Sequence, residues 1–133
     1  MCYLLMAAAL GACASTANPI VQQSDASRLA LAHTVNELDA LYRPGSILSV
    51  TDADAALDRT DAGNLALQSW HAQAEKACYE RFFVTACLDA LKLQRREFRT
   101  ILQRISVEAK AFERKQHVDE LDKSLTEKQS QHQ

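Results

Sequence analysis

The sequence predicts an all-α fold: an elongated antiparallel helical hairpin with a shorter N-terminal helix, three helices in all, and a disulfide at the hairpin corner. Three observations carry that expectation. Apolar residues recur at spacings of three and four through much of the chain, the pattern of a helix with one buried face. Glycine and proline number only three and two in 133 residues, and neither occurs after Gly63, so no conventional breaker interrupts the second half. Two cysteines, Cys78 and Cys87, bracket an apolar knot in the middle of that half.

The cysteines force a bend. Nine positions along an unbroken helix separate two residues by about 13 Å, whereas a disulfide needs Cα atoms within about 7 Å. A continuous helix and an internal bridge therefore exclude one another. Val84-Thr85 is a β-branched pair after two aromatics and a poor helical run. Thr85 can serve as an N-cap, with Asp89 behind it to complement the new helix dipole. Cys78 then ends one helix, Cys87 begins the next, and Phe82, Phe83 and Val84 fill the corner. The alternative is a pair of buried free thiols on one unbroken helix.

In chain order, residues 28 to 42 carry Leu31, Val35, Leu38 and Tyr42 as one stripe, with Ser27 as N-cap and Arg43-Pro44-Gly45 as a firm stop. Ile47, Leu48 and Val50 are apolar enough to lie against the bundle. Thr51 and Asp54 mark the start of the second helix, which runs to about Tyr79 through Leu57, Leu67, Trp70, Ala74 and Cys78. Residues 60 to 64 are its weak point, because Gly63 costs about 1 kcal/mol in a helix interior. The third helix runs from Ala86 to about Lys128. Leu88 and Leu91 lead into a heptad seam of Phe98, Leu102, Ile105, Ala109 and Phe112. Val118, Leu121 and Leu125 continue it after a phase shift near Arg114–His117.

Lengths suggest how the helices pair. At 1.5 Å per residue the three measure about 20, 40 and 60 Å, so the second helix, paired from the corner, ends near residue 113 of the third. The first helix is then expected to cover the remainder, with Leu31, Val35 and Leu38 meeting Val118, Leu121 and Leu125. A tighter three-helix bundle, with the first helix folded back on the corner, is the alternative.

The N-terminus addresses location. Tyr3 to Ala12 is almost wholly apolar, too short to span a bilayer but of the length of a signal-peptide core. Leu10-Gly11-Ala12-Cys13 resembles the lipobox of bacterial lipoproteins. That resemblance implies a signal peptide over residues 1–12, cleavage before Cys13 and a lipid on the Cys13 sulfur. The chain departs from the pattern in having no Lys or Arg before the apolar core; secretion without a lipid and an ordinary N-terminal helix are the alternatives. Ala14, rather than aspartate, follows Cys13, and resemblance to enterobacterial lipoprotein sorting rules then implies the periplasmic face of the outer membrane rather than retention at the inner one. Cys2 would leave with the leader, so Cys78 and Cys87 remain as the even pair that an exported protein oxidises. Residues 13–27 read as a flexible tether, residues 28–128 as the helical domain and residues 129–133 as a frayed tail.

Composition excludes several function classes. A net charge of −2 and a pI near 6.1 provide no global attraction to nucleic acid or to an anionic membrane. His71, Glu75 and Cys78 share a helical face, but without CxxC or HxxxH spacing, and a bridged Cys78 is no ligand. Asp52, Asp54, Asp58 and Asp61 gather near the second helix start without an EF-hand loop. Lys92, Arg95, Arg96 and Arg99 lie close on the third helix, where interspersed acids make an ordinary solvated face the simpler reading. No phosphate-cradling loop, nucleophile elbow, metal set or cofactor motif is expected.

Cys78-x4-Phe83-Val84-x2-Cys87-Leu88, followed by Arg95-Arg96, Val107-Glu108-Ala109 and Arg114, resembles small exported or lipoprotein-like proteins of beta-proteobacteria. The resemblance spans roughly residues 52 to 125. It implies a mostly helical envelope protein and carries over no catalytic residue. The expected function is a lipid-anchored, non-enzymatic structural or adaptor role in the periplasm. Partners would be the membrane, through the lipid, and another envelope protein, through the third helix. A chaperone-like binder of unfolded or lipidic clients is the alternative.

Overall fold

A computed structural model of the chain describes residues 18–131. Three helices follow one another: α1 (Pro19–Leu41), α2 (Val50–Tyr79) and α3 (Val84–Gln131). No strand occurs among the described residues. The all-α class, the three helices and the stapled hairpin of α2 and α3 stand as the sequence suggests.

Helix α1 begins nine residues before the expected start at residue 28. Asn18 is its N-cap, its side chain accepting from the Ile20 N–H at 3.0 Å, and Pro19 opens the first turn, where a missing N–H costs nothing. The part of the proposed tether from residue 19 to residue 27 is therefore helix, while residues 13–17 and the leader lie outside the described residues. Tertiary contacts explain how a polar segment holds this conformation. Ser24 is buried, Ser27 Oγ lies 3.2 Å from Gln73 Oε1 on α2, and Asn18 Nδ2 lies 3.5 Å from Glu80 Oε2.

The stop after Tyr42 is as read. The Tyr42 N–H returns to the Leu38 carbonyl at 2.8 Å, Ser46 N–H closes a turn on the Arg43 carbonyl, and Gly45 takes φ +76°, a conformation favoured by its missing Cβ. Of the three apolar residues that follow, Ile47 alone is buried; Leu48 and Val50 are exposed. Ser49, two residues before the expected Thr51, caps α2: its Oγ accepts from the Asp52 N–H at 3.0 Å and donates to Asp52 Oδ2 at 2.7 Å. Ser49 thus caps the helix and Asp52 holds the cap's hydroxyl, in place of the expected start on Thr51 and Asp54.

No break occurs at residues 60–64, which are helical throughout. Gly63 has a packing role instead. A Cβ there would sit 2.8 Å from Leu102 Cδ2, so its absence lets α3 approach α2 closely. Ala53, Ala56, Ala74 and Ala77 on α2 are likewise buried and keep the helices near.

The expected pairing of α1 with the far end of α3 is not what the chain does. Leu31, Val35, Leu38 and Tyr42 join one core with Leu67, Trp70 and Cys78 of α2 and Leu91, Leu102, Ile105 and Ala109 of α3. Helix α1 is folded back on the corner, beginning beside Glu80 and ending beside Arg104, so it runs parallel to α3 and antiparallel to α2. The cause is burial. A stripe inserted between two helices loses water on both flanks, and each Å² of apolar surface removed stabilises by about 25 cal/mol; a single helix end could cover one flank only. Trp70 and Phe98 meet edge to face at 5.7 Å within this core.

The α3 seam divides accordingly. Leu102 and Ile105 are fully buried, while Phe98 and Phe112 are half-buried against the core. Val118, Leu121 and Leu125 are between 49% and 55% exposed. At 48 residues α3 is about 72 Å long, and its last turns project beyond the bundle. It continues through the expected end at Lys128 to Gln131, so residues 129–131 of the proposed frayed tail are helical.

Candidate functional site

Two places on the molecule distinguish themselves: the stapled corner and the free end of α3. At the corner, Cys78 and Cys87 are bonded with their Cα atoms 5.5 Å apart, within the span a bridge requires. The connection is four residues, Glu80 to Phe83. Arg81 N–H donates to the Cys78 carbonyl and Cys87 N–H to the Phe83 carbonyl, both at 3.1 Å. Helix α3 thus starts at Val84, and Thr85 lies in its first turn, not at the N-cap. Asp89 is beyond that turn and pairs instead with Lys92 at 3.0 Å.

Phe82 and Phe83 do not fill the corner. They are 92% and 74% exposed and pack on one another edge to face, centroids 5.0 Å apart; Val84 is half-buried. A four-residue link closed by a disulfide leaves both rings on the outside of the turn, Phe83 at the edge of the space that Trp70, Cys78 and Leu91 line. Beside the corner, between α1 and the hairpin, lies a cleft of about 320 Å³ with Ser24, Arg28, Trp70, Arg81 and Leu91 in its walls.

Where α1 ends, Arg104 gathers three partners. Its Nη2 reaches Asp39 Oδ1 at 2.9 Å and the Tyr42 carbonyl at 2.7 Å, and Nη1 reaches Glu108 Oε1 at 3.4 Å. A cation there meets the unpaired carbonyls and negative end of α1's dipole. Neither this residue nor Gly63 follows from the seam pattern. The one hint for Arg104 is its place between the seam residues Leu102 and Ile105.

His71, Glu75 and Cys78 do not assemble a metal site: Cys78 is bonded to Cys87, and the described residues contain no group of three or more ligating side chains. Burial, then the charge of Arg95, pushes the His71 pKa below its ordinary value, against an opposing pull from Glu75. Asp52 is taken up by the Ser49 cap, while Asp54, Asp58 and Asp61 are exposed. Lys92, Arg95, Arg96 and Arg99 are also exposed, with Lys92 paired to Asp89. Cys13 lies outside the described residues.

At the other end, Val118, Leu121 and Leu125 form a stripe at spacings of three and four on a single helix, flanked by the exposed Lys115–Asp119 pair at 3.0 Å. No described helix is long and apolar enough to cross a membrane. Compared with protein-family models, with characterised proteins and with solved structures, the chain matches none.

Proposed function

We propose that the chain is a lipid-anchored helical protein of the bacterial envelope, held by Cys13 at the periplasmic face of the outer membrane. It acts as a structural adaptor rather than as a catalyst. The observation that supports this best is the α3 overhang, whose apolar stripe stays about half exposed among the described residues. A helix bearing Val118, Leu121 and Leu125 at heptad spacing suits a partner helix with a matching stripe. The lipobox-like Leu10-Gly11-Ala12-Cys13 supports the anchor. The Cys78–Cys87 bridge supports an oxidising compartment, where such bonds persist.

The second reading, a holder of unfolded or lipidic clients, draws on the same uncovered stripe. A holder needs an apolar groove with two walls, and the overhang is one helix, which favours the adaptor. The test is photocrosslinking in the exporting cell. With a photoreactive residue at Leu121, a discrete protein adduct is expected, and the same residue at Thr100, on the outer face of the bundle, yields none. A smear of many adducts at Leu121 would support the holder, and no adduct at all would remove both. Acyl labelling that persists in Cys13→Ser would remove the anchor.

A further inference from the structure

We infer that Phe82 and Phe83 form a membrane-contacting tip, a rigid aromatic wedge that seats the corner end of the bundle in the interface of a lipid bilayer. Phe82 is the most exposed large apolar side chain of the described residues, at 92%, and Phe83 packs edge to face against it. Water around two packed phenyl rings is unfavourable, and moving them into an apolar phase recovers that free energy. Exposed Tyr79 flanks the pair, an aromatic with a polar handle of the kind enriched at bilayer interfaces. Glu80 and Arg81 carry opposite charges, as do Asp89 and Lys92, so the tip presents no net charge and needs no anionic lipid. The disulfide holds this short connection in place, so little conformational entropy is lost when it seats.

Position selects lipid over protein as the occupant. The chain reaches α1 through Asn18, whose Nδ2 lies 3.5 Å from Glu80 Oε2, so the N-terminal segment joins the bundle at the wedge. This part of the argument rests on the reading of Cys13 as lipidated. Five residue steps from Cys13 to Asn18 span at most about 18 Å when fully extended, so an acylated Cys13 keeps the tip against the bilayer. Helix α3 then points away, and Val118 to Leu125 stand about 50–60 Å from the tip at 1.5 Å per residue.

The test uses the protein processed by exporting cells and reconstituted in phosphatidylcholine vesicles with brominated acyl chains. Phe82→Trp places an indole at the tip, while the chain's single native tryptophan, Trp70, stays buried and provides the unquenched background. An unchanged melting temperature shows that the variant folds, and mass spectrometry of the N-terminus reports acylation separately. Blue-shifted, quenched emission from Trp at position 82 supports the wedge, whether or not the chain proves acylated; without acylation the anchor reading alone falls. An acylated chain whose tip is not quenched overturns the wedge and leaves the anchor standing. A photoreactive residue at position 82 that captures protein rather than lipid in cells also overturns it.

Discussion

Helix α3 carries two apolar stripes of the same grammar, and the molecule treats them differently. From Leu91 to Phe112 the stripe is covered by α1 and α2, and Leu102, Ile105 and Ala109 lose all contact with water. From Val118 to Leu125 the spacing is as regular, yet each side chain stays about half in solvent. Nothing in the residues themselves separates the two. What separates them is whether the rest of the chain has a face left to offer, and α1 offers its face to the groove where two flanks can be buried. Periodicity reports that a helix wants a partner; it does not report that the partner is in the same chain.

The sharpest way to break this comparison is to truncate one leucine from each stripe. Leu102→Ala should cost about 3 kcal/mol, within the 2–5 kcal/mol usual for a buried leucine. Leu121→Ala should stay within about 0.5 kcal/mol, as exposed substitutions do. Urea unfolding followed by helicity measures both, and equal losses would mean that the overhang is packed after all. Next comes the staple. Reduction should remove about 2.5 kcal/mol on the loop-entropy model for a span of this length, lowering the melting temperature while far-UV helicity is kept.

Ion pairs sharpen the contrast further. Arg104→Met strips a cation from Asp39, from the α1 terminal carbonyl and from Glu108; hydrogen bonds to charged groups contribute about 1.5–3 kcal/mol, and a loss near the middle of that range is expected. Lys115→Met, outside the bundle, removes an exposed i,i+4 pair worth about 0.3–0.5 kcal/mol.

A double-mutant cycle probes the close approach at Gly63. Alone, Gly63→Ala gains about 1 kcal/mol of helix propensity but meets Leu102 Cδ2 at 2.8 Å, an overpacking that costs about 1–3 kcal/mol. A small net destabilisation should result. In a Leu102→Ala background the clash is gone and the same change should stabilise by about 1 kcal/mol. The smallest effect belongs to His71. Its folded pKa lies below the unfolded value, near 6.5, so the neutral ring is the one the fold favours. The associated stability is present above the unfolded pKa and fades as pH falls from there through the folded pKa. Thermal melts across that window should show a slope that His71→Gln removes.

Local chemistry made the helices and the staple readable from sequence. The two-cysteine geometry leaves no room for a straight helix, Pro44-Gly45 stops α1, and the stripe from Leu31 to Tyr42 is buried as its spacing demands. What misled was local chemistry overruled by packing. Ser24 looks like a linker residue and Ser27 like an N-cap until α2 is beside them and Asn18 takes the cap. Phe82 and Phe83 look like core until the short stapled link is seen to leave them on its outer side. Gly63 reads as a weak point because its propensity cost is local, whereas the approach of Leu102 that uses it comes from a residue 39 positions away. Arg104 shares that difficulty: its partners, Asp39 and the Tyr42 carbonyl, are remote in sequence and near only once α1 folds back.

The overhang leaves one further consequence. A segment that projects past the bundle with its stripe half in solvent can gain or lose residues with little disturbance to the core. Each added residue would move the far end by about 1.5 Å and turn it by 100°, whereas a full heptad would lengthen the rod by about 10 Å and nearly restore its facing. Reach is therefore an adjustable dimension of this protein, to be dialled in sevens, independently of whatever keeps the other end folded.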